Sequence, residues 1–406
     1  MRLTRTAGTA MLLVWVCCAA QPVLAQGDVP VAPPRVPPAA VVAVEDGGAR
    51  QAPTQYAGHE GHQYENRTIT LKTGDTLFSL HYRACVDESH GDRVGIVEGY
   101  LGMPQPSNEN WYGGGFFRLA LNGEDVGSYR LVDVCVSEQG ERGQCEWVWE
   151  TPAATVRLRF LLEAGANHLK AEAVWQPKVE ITKASISLLC YPSFFTSWHK
   201  RKGERRVITP RTDQPEGKPF DLVPAEDTYL FYCDRIFDVA NGEGKGPCAV
   251  LFRPEDTQAG KVSVGGYGTT TDLEVKPGVT QVRMAFWDFT GKTNTAAQAW
   301  LAENAVKVRN ELTSADFQPQ ALRTYTAASW SAETATLLAD AGESGAPYQS
   351  EVERLAGLLK DLEQTAGPGG WPAERAVLKA LPQLEQTRWQ LKIQALLARG
   401  DAMWAK

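Results

Sequence analysis

Tyr191-Pro192-Ser193-Phe194-Phe195-Thr196-Ser197-Trp198 runs directly into His199, Lys200, Arg201, Lys202, Arg205, Arg206 and Arg211. Aromatic faces stack on sugar rings, and guanidinium groups hold carboxylates or sulfates through paired hydrogen bonds. Six Lys and Arg side chains lie within the twelve residues from Lys200 to Arg211, with Glu204 the only acid. The chain as a whole carries a formal net charge of -7, so this stretch makes a positive field against an acidic background. It predicts contact with an anionic polysaccharide through Trp198, His199, Arg201, Arg205 and Arg206. In a polysaccharide lyase, His199 could act as base while Arg201 or Arg205 neutralises a uronate. The alternative is an aromatic strand end followed by a solvated basic loop.

Other candidates carry less chemistry. Gly242-Glu243-Gly244-Lys245-Gly246 has a glycine where a phosphate loop needs the Mg²⁺-binding Ser or Thr. His59-Glu60-Gly61-His62 pairs two imidazoles beside a proline-rich tract that would hold no metal geometry. Asp87-Glu88-Ser89-His90-Gly91-Asp92 offers oxygen ligands without a calcium-loop spacing and reads as a solvated turn. Trp111-Tyr112-Gly113-Gly114-Gly115-Phe116-Phe117 reads as a loop entering a core strand, with a binding wall as the alternative. There is no nucleophile elbow and no His-Glu-x-x-His, so no catalytic constellation, cofactor or metal site is expected.

Cysteine usage bears on compartment. Of eight cysteines, Cys17 and Cys18 fall in an N-terminal apolar run, Met11 to Ala20, that follows Arg2 and Arg5 and precedes Val23-Leu24-Ala25. That is the layout of a secretory signal peptide, predicting cleavage after Ala25 and export to a periplasmic or extracellular space without a transmembrane anchor. The remaining six, Cys85, Cys135, Cys145, Cys190, Cys233 and Cys248, suit an oxidising compartment. Cys135 with Cys145 and Cys233 with Cys248 flank glycine-containing loops, so local bridges are expected there, leaving Cys85 with Cys190.

The elements that would position these residues are mostly strands. Residues 26–60 hold Pro30, Pro33, Pro34, Pro37, Pro38 and Pro53 and read as an extended tether. From 66 to 212, runs such as Val156-Arg157-Leu158-Arg159-Phe160 alternate apolar with polar, which puts one face on a core and the other in water. Asn122-Gly123 after Phe117 to Leu121 signals a hairpin, since both positions accept positive φ. A second β region spans 213–290. It is either a separate sandwich or an extension of the first. Mainly antiparallel β structure followed by helices is the expected fold. If the two β regions join, the architecture resembles the large galactose-mutarotase-like supersandwich.

After Trp287 the apolar period becomes 3.6. Ala297, Trp300, Leu301, Ala305, Val308 and Leu312 share one helical face, and Ser350 with Glu353 spells a capping box. Pro382 should bend the last segment and Gly400 should end it. The region 293–406 should dock on the sheets. An acidic chain argues against nucleic-acid binding. Three function classes remain: a non-catalytic exported binding or scaffold protein, a polysaccharide-active lyase or hydrolase, and a subunit of a surface or periplasmic assembly docked through its helical tail.

Overall fold

A computed structural model describes residues 40–53, 63–86, 96–105, 112–190, 202–265, 268–365 and 367–404. The expectations for Trp198, His199, Arg201, the signal peptide, His59, His62 and the Asp87–Asp92 turn lie outside the described residues.

In chain order the strands are β1 (Ala43–Pro53), β2 (Gln63–Thr73), β3 (Thr76–Val86), β4 (Ile96–Gln105), β5 (Tyr112–Leu121), β6 (Glu124–Asp125), β7 (Leu131–Glu138), β8 (Arg142–Glu150) and β9 (Ala154–Glu163). There follow β10 (His168–Pro177), β11 (Ala184–Cys190), β12 (Arg205–Ile208), β13 (Asp213–Pro215), β14 (Phe220–Leu222) and β15 (Tyr229–Asp234). The last are β16 (Cys248–Phe252), β17 (Thr257–Val264), β18 (Thr269–Val275) and β19 (Gln281–Asp288). They form two antiparallel sheets. The first runs β1-β2-β3-β4-β5-β11-β18-β17-β14, with β6 paired to β5, and the second runs β13-β12-β15-β16-β19-β10-β9-β8-β7. Strands from before and after residue 212 therefore share both sheets. Residues 43–53, expected within the tether, instead form the outer strand β1, which pairs with β2 across a bulge at Asp46–Ala49.

The alternating side chains build the core. Trp147 and Trp149 of β8, Phe160 of β9 and Trp175 of β10 meet Tyr82 of β3, Phe116 and Phe117 of β5 and Ile186 of β11 between the sheets. Phe116 and Phe117 thus enter the core, as the loop-to-strand reading of the Trp111–Phe117 cluster anticipates. The Asn122-Gly123 turn forms with φ of 52° and 87°, the pair of left-handed values that lets a two-residue hairpin follow the strand twist.

Alternation misleads on the other face. β8 is buried along all its interior positions, Gly143 to Trp149, because the polar side of the second sheet is roofed by helices rather than water. Helix α1 (Asn294–Ser314) turns Ala297, Leu301, Ala305, Val308 and Leu312 onto Phe231, Leu251 and Trp287. Three further helices, α2 (Ala327–Ala341), α3 (Gln349–Gln364) and α4 (Trp371–Trp404), bury Trp330, Leu355, Leu359, Val377 and Leu384 among themselves. The capping box sits at Thr326 and Ser329 of α2. The one expected at Ser350 does not form, since a 3₁₀ turn over Gly342–Tyr348 runs straight into α3. α4 also continues through Pro382 and Gly400, with Val377, Leu384 and Leu391 holding both sides of the proline in place by burial. No helix among the described residues is long and apolar enough to cross a membrane.

Candidate functional site

The polar phases of β7 to β10 and β19 converge beneath α4. Antiparallel register sets Glu146 opposite Arg159, Arg159 opposite Glu172, and Glu172 opposite Arg283, so charges alternate from strand to strand. Glu146 has no exposed side-chain surface and accepts from Arg157 Nε at 2.7 Å, Arg157 Nη2 at 2.9 Å, Arg159 Nε at 3.0 Å and Arg375 Nη2 at 3.0 Å. Burial alone would raise its carboxyl, but Arg157, Arg159 and Arg375 outweigh that and hold it below the ordinary range. Two groups come from the first turn of α4. Glu374 receives both terminal nitrogens of Arg157, and Arg375 donates to Asp133 at 2.6 Å. On the far side Arg283 reaches Glu172 at 2.9 Å and caps the end of α1 through the carbonyls of Leu312 and Thr313.

Four arginines here meet four carboxylates, Asp133, Glu146, Glu172 and Glu374. Each cation is spoken for by a neighbour, so the lattice locks α1 and α4 onto the sheet. No group of three or more His, Cys, Asp or Glu among the described residues is placed to hold a metal. Beside the lattice, His168 of β10 packs against Trp287 with ring centroids 5.0 Å apart and planes tilted by 30°, and its Nδ1 lies 3.1 Å from the Asn167 amide oxygen. Burial first, then Lys170 and Lys307, pushes its pKa down to about 4.

Within the basic stretch, Arg205, Arg206 and Arg211 are each paired with a carboxylate. Arg205 is 2% exposed and donates to Glu216 at 2.8 Å. Arg206 donates to Asp213 at 2.7 Å. Arg211 meets the fully buried Asp227 at 2.8 Å, beside the Thr209 hydroxyl at 2.6 Å. Burial would raise Asp227, but Arg211 and Thr209 hold it lowered. The structure therefore does not gather these three arginines into an open anion site.

The expected disulfides are corrected by strand geometry. Cys135 pairs with Glu146 and Val136 with Cys145, so the two thiols are one residue out of register and emerge on opposite faces of the hairpin. Cys248 faces the inter-sheet core while Cys233 points under α1. Cys85 on β3 and Cys190 on β11 are separated by β4 and β5 within one sheet, roughly 14 Å at the usual strand spacing. None of the three expected pairs is bonded.

One surface departs from the rest. Along the second half of α4, Trp389, Ile393, Leu396 and Leu397 are 60%, 51%, 65% and 57% exposed. Their spacing places them on one side of the helix. Arg388 and Lys392 fold back on Glu333 of α2, and Arg399 on Asp340, so these three cations are partnered within the chain. Two shallow clefts lie elsewhere, one of about 260 Å³ over Glu45, Arg50 and Asn66, and one of about 220 Å³ between Trp175, Ile181 and Pro277.

No family model and no curated protein matches the chain. Among solved structures it is similar to a protein of Klebsiella pneumoniae assigned as an aldose 1-epimerase, at 10% identity and a TM-score of 0.37, over 66% of this chain and 88% of that one. It is also similar to an alpha-N-acetylgalactosaminidase of Bifidobacterium bifidum, at 10% identity and a TM-score of 0.36, over 71% of this chain and 42% of that one. A polysaccharide lyase matches at 11% identity and a TM-score of 0.24, over 60% of this chain and 32% of the lyase. The chain spans less than half the length of the latter two.

Proposed function

We propose that the chain is an exported, non-catalytic binding or scaffold protein that docks a protein partner through the outer side of α4. The observation that carries the reading is the exposed stripe of Trp389, Ile393, Leu396 and Leu397. Large apolar side chains clustered on one helix face are costly to leave in water, and aromatic anchors of this kind supply most of an interface's binding energy. The lattice beneath α4 supports the non-catalytic part, since its carboxylates and guanidiniums are spent on each other. It also gives the docking helix a rigid base, because α4 enters the fold through Glu374 and Arg375. In this proposal any anionic-polysaccharide contact falls to Trp198, His199 and Arg201, as Arg205 and Arg206 already have carboxylate partners.

A photo-crosslinking side chain at position 393 of the exported protein tests the reading. A discrete protein adduct is expected, and it should vanish when Trp389→Ser and Leu396→Gln are combined. No adduct at 393, or one that survives the double change, overturns it.

A further inference from the structure

We infer that Cys190 and Cys248 are joined in the mature protein as a disulfide that ties the two sheets together. Cys190 is the last residue of β11 in the first sheet, and Cys248 is the first of β16 in the second. Both side chains point into the inter-sheet core, at 1% and 0% exposure, and their sulfurs lie 3.3 Å apart. A relative shift of ~1 Å brings two such sulfurs to bonding distance. The contact is fixed by the fold from both sides. Cys190 is held by its pairing with Thr269 on β18, and Cys248 by its pairings with Tyr232 on β15 and Asp288 on β19. The other four cysteines have no such geometry in the combinations that loop spacing suggests.

The chemistry is a thiol–disulfide exchange with an oxidised dithiol or glutathione disulfide of the export compartment. One cysteine thiolate attacks the oxidant's S–S bond and expels a thiolate. The second cysteine then attacks the mixed disulfide. The chain loses two electrons and two protons, and the oxidant's disulfide becomes two thiols. Because both sulfurs are buried, this exchange belongs to folding, before the sheets close over the pair. The bond closes a loop over a separation of 58 residues.

The full-length chain, exported or refolded in a glutathione redox buffer, is alkylated under denaturing, non-reducing conditions and mapped by mass spectrometry. A linked peptide pair containing Cys190 and Cys248 is expected, two hydrogens lighter than the separate peptides, with Cys85, Cys135, Cys145 and Cys233 alkylated. Alkylated Cys190 and Cys248 in the folded protein, or a different linked pair, overturns the inference. Reductant should lower the melting temperature of the wild type by roughly 5–10 °C, from the loop-closure effect of such a bond and the size of the domain. It should leave the C190A/C248A double variant unmoved. An equal fall in both proteins also overturns it. If the double variant fails to fold, the peptide map of the wild type decides alone.

Discussion

Replacing Glu146 by Gln removes one charge from the lattice while leaving its shape. The carboxylate accepts four N–H groups from three arginines, two on each oxygen. A glutamine keeps one oxygen and turns an NH₂ group toward the other two donors. Two charge-assisted bonds at ~1.5–3 kcal/mol each are then lost. The lattice meanwhile passes from four cations against four anions to four against three. The sum agrees with the ~3–5 kcal/mol typical of breaking a buried ion pair from one side. In urea, with an m-value of ~3 kcal/mol/M, the unfolding midpoint should fall by ~1–1.5 M. Lys178→Ala is the control. Its pair with Glu150 is 42% and 34% exposed, and such a surface pair contributes under ~1 kcal/mol. The gap between wild type and Glu146→Gln should also depend on pH. The folded carboxyl is held below its ordinary value of 4.5. Its contribution is therefore complete above that value and is lost as pH falls below it toward the folded pKa. A midpoint shift under ~0.3 M near pH 7, or a gap that grows on acidification, would refute the lattice as the fastening of α4.

Three further outcomes follow from single side chains. His168 titrates near 6.5 unfolded and near 4 folded, so the unfolded chain binds the extra proton between those values and stability should fall by up to about 3 kcal/mol as pH drops through that window. His168→Phe should flatten this slope in thermal melts recorded across it, and an unchanged slope would assign it to another group. Asn122→Ala must hold an alanine at φ of 52° and lose the contacts to Thr182, Lys183 and Glu180, costing about 2 kcal/mol by calorimetry. Arg205→Ser should lower the melting temperature because Arg205 is buried against Glu216, whereas Arg206→Ser should cost under ~1 kcal/mol and leave any binding of a sulfated glycan unchanged.

Local chemistry was readable before the fold was known. The Asn122-Gly123 turn needs only its own two residues, and the α1 stripe of Ala297, Leu301 and Leu312 needs only a period. What failed depended on partners outside the stretch being read. Arg157 and Arg159 look like the wet side of a strand until Glu374 and Arg375, more than two hundred residues later, cover them. Arg205, Arg206 and Arg211 look like a free cationic cluster when the count stops at 211. Asp213, Glu216 and Asp227 follow just beyond it and take up all three charges. The cysteines failed for a different reason. Loop spacing brings Cys135 near Cys145, but a one-residue register offset sends their sulfurs to opposite faces, and register is set by the whole ladder. The exposed side of α4 was not anticipated, because a spacing such as Trp389, Ile393 and Leu396 does not separate a stripe that packs from one left open.

The bulge in β1 has a bearing on how the protein behaves at high concentration. β1 is the outermost strand on its side of the first sheet, and an outer strand presents backbone donors and acceptors on which another chain can polymerise. Gly48 at φ of 71° breaks the regular ladder there, its N–H turned to the Asp46 carboxylate at 2.9 Å, and Pro53 removes a donor at the strand's end. Glu45, Asp46 and Arg50 add charge along the same strip. A flat, continuous β1 would be a template for fibril growth. The kinked, charged strand found here, with a proline at its end, is a poor one.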